Sequence, residues 1–107
     1  MAPKTNIKSI LPWINQYKLL MDKRGYSDAK YILFGSWAKG TIHQWSDIDL
    51  CVVSDKFNGN LLNVSDKLRI WANEINYDLE PIAMRPEDLA DKTDTLASEV
   101  NKWGIVV

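Results

Sequence analysis

The chain has 107 residues, 46% of them apolar, with a formal net charge of −1 and one cysteine. That size and apolar content suffice for one core without staples. The near-neutral charge excludes bulk, salt-sensitive binding of a nucleic-acid backbone, and the lone Cys51 excludes an internal disulfide.

From Ile7 the apolar residues Ile10, Leu11, Ile14, Tyr17 and Met21 recur at helical spacing, closed by Gly25. Pro12 lacks an amide donor and crowds the preceding turn, so the main helix is expected to begin near it after an irregular lead. Polar residues and Pro12 break the first dozen residues, against a secretory leader. No run approaches the ~20 apolar residues of a membrane span, so a soluble, cytoplasmic protein is expected.

Tyr31 to Phe34 is a continuous apolar run ending at Gly35-Ser36, the pattern of a buried strand. A short helical turn through Gly40 follows, then a polar loop, then a second strand over Ile48 to Val53. Asn58-Gly59-Asn60 signals a turn. Leu61, Leu62, Ser65, Leu68, Ala72 and Ile75 then trace the stripe of a second long helix, with Lys67, Arg69 and Glu74 outside it. Tyr77 to Met84 predicts a third strand, Arg85 to Asp88 a helical start, and Leu96, Val100 and Trp103 a last amphipathic helix. Gly104 ends that helix before a closing strand over Ile105-Val106-Val107. The order predicts a single α/β (α+β) domain over residues 1–107: a small mixed sheet of about four strands flanked by helices.

The chemistry concentrates between Leu33 and Val53. Gly35 lets backbone approach a ligand where a strand meets a helical turn, and exposed amides with the Ser36 hydroxyl can hold phosphate oxygens. A Walker-type phosphate loop is the rival reading of Gly35 to Gly40, but Thr41-Ile42 stands where Lys-Ser/Thr is required. Asp47 and Asp49, separated by one residue in an extended chain, leave the same face with Cα atoms roughly 7 Å apart. Such a pair is unfavourable unless a proton or cation sits between them, and oxygen ligands select Mg²⁺ or Mn²⁺. Asp78 and Glu80 also share a face, and either can complete an acidic triad, as a pair of metal ions requires.

Gly35-Ser36, Gly40 and Ser46-Asp47-Ile48-Asp49-Leu50 resemble the signature of the DNA polymerase beta-like nucleotidyltransferases, and the stretch from Leu79 to Asp88 is similar to a segment of small stand-alone members. The resemblance implies a nucleotidyltransferase fold and two Mg²⁺ ions held by Asp47, Asp49 and a third acid, with Glu80 favoured over Asp78. It implies a triphosphate handled by Gly35 and Ser36, and a phosphate-directed cation at Lys39, where many members have Arg. It further implies transfer of a nucleoside monophosphate, AMP from ATP, to a hydroxyl. Small relatives resemble the antitoxin of a toxin–antitoxin pair whose partner is a helical HEPN-type protein, so that partner is an expected acceptor. The alternative is an inert module that neutralises such a partner by contact. Monomer and dimer both stay open.

Of the remaining residues, His43 is expected to be incidental and Cys51 a small buried hydrophobe. Trp13, Trp71 and Trp103 are expected in core or interface, and Trp37 and Trp45 flank the site, stacked on a base or packed beneath the loop.

Overall fold

The computed structural model describes residues 3–41 and 47–107. The elements in chain order are α1 (Pro3–Lys23), β1 (Lys30–Phe34), α2 (Ser36–Lys39), β2 (Ile48–Val53), α3 (Leu61–Asn73), β3 (Leu79–Met84), α4 (Pro86–Leu89), α5 (Thr95–Trp103) and β4 (Ile105–Val106). The four strands form one mixed sheet in the order β3-β2-β1-β4. β1 runs antiparallel to β2 and to β4, while β2 and β3 are parallel.

Period-two alternation along the strands divides the apolar residues between two layers. Tyr31, Leu33, Ile48, Leu50, Val52, Leu79 and Ala83 pack with Ile10, Ile14, Tyr17 and Met21 of α1 and Leu68 and Ala72 of α3. Phe34, Cys51, Val53 and Met84 face the other way and pack with Ala97 and Val100 of α5. Leu89 of α4 and Ile32 and Ile82 of the sheet join this second layer. The mixed α/β architecture expected from the sequence is therefore present. Among the described residues no helix is long and apolar enough to cross a membrane.

Three local expectations are corrected. The first helix does not begin near Pro12 but runs through it from Pro3 to Lys23. Ile10 before the proline and Ile14, Tyr17 and Met21 after it are all buried in one core, so tertiary packing holds both halves in register. Pro12 itself lies on the exposed face, where helix hydrogen bonds are already the longest and a missing donor disturbs least. Leu62 leaves the apolar stripe of α3 and is 76% exposed, while Val64 and Trp71 pack on the core in addition to Leu61. The third strand starts at Leu79 rather than Tyr77, because the Asn76 side chain accepts a hydrogen bond from the Asp78 amide at 2.8 Å and turns the chain there.

Ser65, a polar residue within the α3 stripe, also has a reason to be there. Its Oγ accepts a hydrogen bond from the Ala83 amide of β3 at 2.9 Å. The Leu79 amide is used as well, donating to Asn76 O at 3.2 Å. Of the tryptophans, Trp71 is half-buried between the Arg24 guanidinium and the core, whereas Trp13 and Trp103 are exposed and outside both cores.

Candidate active site

The turn after β1 is built on Gly35, whose φ of 69° and ψ of −149° lie in a region that side-chain-bearing residues rarely adopt. A Cβ on Gly35 would overlap the carboxylate of Asp49. The glycine is thus required twice, by its backbone and by the neighbour pressed against it. α2 follows at once with Ser36, and ends at Gly40, φ 79°, whose amide donates to Ser36 O at 2.9 Å. Lys39 is the last residue of this helical turn.

Asp49 enters from β2. It is the cross-strand partner of Phe34 and the lateral partner of Glu80 in the parallel β2–β3 register. Alternation puts Asp49 on the α5 side of the sheet with Cys51 and Val53, and Glu80 on that side with Ile82 and Met84. Asp47 immediately precedes the strand and is exposed. Burial pushes the Asp49 carboxyl up to about 6, and the charges of Asp47, Glu80 and Glu99 push it in the same direction. Asp47, Asp49 and Glu80 therefore belong to one electrostatic cluster beside the Gly35 turn. Asp78, the other candidate third acid, lies in the turn before β3, where its carbonyl accepts from the Ile48 amide at 2.7 Å.

The cluster is not a preformed cage. Among the described residues no three carboxylate, thiol or imidazole groups stand together in metal-ligating geometry. Instead Glu80 Oε1 lies 3.3 Å from an Arg69 guanidinium nitrogen of α3. Lys39 is likewise engaged: its Nζ lies 3.4 Å from Glu99 Oε2 and 5.8 Å from the centroid of the Trp103 ring, both on α5. Arg69 and Glu99 escaped the sequence reading, which placed Arg69 only outside an apolar stripe and did not single out Glu99. The available signal for Glu99 was its spacing of four from Trp103.

Cys51 is fully buried beneath the site, and burial pushes its thiol up to about 12, in keeping with an inert core residue. Trp37 packs against the α1–α3 core, with its buried indole nitrogen unpartnered among the described residues. His43, Trp45 and Ser46 lie outside the described residues.

An alignment over 66 residues, covering 58% of this chain and 45% of the other, shows 35% identity to the Methanocaldococcus jannaschii protein named "Putative protein adenylyltransferase MJ1305". The matched part is thus less than half the length of the relative. A crystal structure of a toxin–antitoxin with AMP-PNP is similar over 72% of this chain and 57% of the other, at 26% identity and a TM-score of 0.48. The model of the nucleotidyltransferase domain matches residues 14–104, from within α1 to the end of α5 and across the whole acidic cluster. On that match the chain belongs to the nucleotidyltransferase domain family.

Proposed function

We propose that this domain transfers a nucleoside monophosphate, AMP from ATP, to a hydroxyl on a protein acceptor, with Mg²⁺ held by Asp47, Asp49 and Glu80. The observation that carries the reading is the contact of Gly35 with Asp49, which joins a phosphate-accessible backbone turn to a carboxylate with a second carboxylate, Glu80, paired beside it. An all-oxygen, mutually repelling donor set fits Mg²⁺ or Mn²⁺, singly or as a pair. A bound cation would neutralise the clustered carboxylates and draw charge from the phosphate being transferred.

The residues of the chain supply binding and alignment. Gly35 leaves its backbone bare, the Ser36 hydroxyl and amide donate to the outer phosphates, and Lys39 adds a cation to them. Glu80, moving from Arg69 towards Asp49, takes the proton of the attacking hydroxyl. The acceptor oxygen bonds to the α-phosphorus as the bond to the β-phosphate oxygen breaks, and pyrophosphate leaves. AMP and a protein acceptor are supported by the name of the M. jannaschii relative. A small helical HEPN-type protein is the acceptor and partner we put forward, as in an antitoxin.

Incubation with labelled ATP, CTP, GTP or UTP, Mg²⁺ and the candidate acceptor tests this. The expected result is label on the acceptor from ATP with wild type and none with Asp49→Asn. Equal label from both rejects the proposal.

A further inference from the structure

Two groups of α5 meet Lys39 at once. Glu99 and Trp103 are four residues apart and so share a helical face. The Lys39 ammonium lies between them, 3.4 Å from Glu99 Oε2 and 5.8 Å from the Trp103 ring centroid. The end of α5 seats closely on β1: a Cβ on Gly104, just past the helix, would collide with Ile32 Cγ2. The cation next to the Gly35-Ser36 turn thus already has an anion, presented by α5. The charge of Glu99 also helps to raise the Asp49 carboxyl, after burial, Asp47 and Glu80.

We propose that Glu99 is a built-in competitor of the nucleotide: its carboxylate holds the Lys39 ammonium where a phosphate would, and gives it up when a triphosphate binds. Glu99 is then a positioning residue that sets nucleotide affinity. The inference rests on the proposed role of Lys39 at the phosphates. The exchange is feasible because the side chains of Lys39 and Glu99 are 33% and 37% exposed, and ion pairs so open to water are weak. A triphosphate brings more charge than one carboxylate and displaces it. The Trp103 ring attracts the ammonium from a second side whichever anion is bound, so Lys39 stays in place during the exchange.

The test is a double-mutant cycle on binding of a fluorescent ATP analogue, without added divalent cation and at two salt concentrations. Thermal melts of each variant check the fold. Glu99→Gln is expected to tighten binding about three- to tenfold, and the gain is expected to vanish in the Lys39→Ala background and to shrink at high salt. Unchanged or weaker binding by Glu99→Gln overturns the proposal, and makes Lys39–Glu99 a surface ion pair only. A gain that persists in full without Lys39 also overturns it, because Glu99 would then act by repulsion alone. Wild type that binds no analogue, with or without Mg²⁺, rejects the nucleotide site itself and this inference with it. Wild type that binds as tightly as Lys39→Ala rejects the role of Lys39.

Discussion

Gly35 lies against the Asp49 carboxylate with no room between them for a methyl group. Gly35→Ala therefore combines two penalties, a backbone conformation that costs a residue with a Cβ about 1–3 kcal/mol and displacement of the Asp49 side chain. Urea unfolding should show a loss of about 2 kcal/mol or more, together with loss of nucleotidyl transfer. A midpoint equal to that of wild type would show that the turn is not pinned as described.

Asp49 gives a prediction with a definite sign in pH. Its carboxyl is raised from the ordinary 3.8 to about 6, by burial first and then by Asp47, Glu80 and Glu99. The folded chain therefore keeps a proton that the unfolded chain has released, and stability falls as pH rises through the interval between those values, to a lower plateau above it. Asp49→Asn carries no such charge. In metal-free buffer at about pH 8 it should exceed wild type by about 1 kcal/mol, allowing for solvent screening. That corresponds to about 4–8 °C in Tm, and the difference should close towards about pH 4. The same variant should be inactive, so stability and activity should part in opposite directions.

The two candidate third acids separate by register. Glu80 is the lateral partner of Asp49, whereas Asp78 lies in the preceding turn. Glu80→Gln should lower the transfer rate by about 10²- to 10⁴-fold, and Asp78→Asn by less than about threefold. Steady-state rates with a common acceptor decide between them, and the reverse ranking would move the third acid to Asp78.

Gly104 offers a contrast with Gly35. Its φ of −63° is open to any residue, so alanine there meets only a shortage of space, against Val100 O and Ile32 Cγ2. Gly104→Ala should destabilise by about 1–3 kcal/mol, measured by urea unfolding. An unchanged midpoint would mean that α5 is free to shift on β1.

Much of this was legible in the sequence because it is local. The apolar run into Gly35-Ser36 marks β1 and its turn, and Ile48 to Val53 marks a strand that brings Asp49 into a core. What the sequence could not display are contacts made by assembly. Arg69 reads as a solvated helix residue, yet the parallel pairing of β3 beside β2, with α3 between them in the chain, brings it to Glu80. Lys39 meets Glu99 only because α5 returns across the sheet face that carries Asp49. Pro12 misled in the other direction: its local penalty is real, but buried side chains on both sides of it outweigh that penalty.

The outer edge of β3 has a chemical consequence for association. The residues whose backbone points away from β2 are Leu79, Pro81 and Ala83: the first donates to Asn76 O, the second has no amide hydrogen, and the third donates to Ser65 Oγ. A foreign strand arriving on that flank would find every outward donor spent or missing, which is a standard protection against edge-to-edge aggregation. The outward carbonyls of that flank can still accept, but a strand bound there would gain only half of a normal ladder.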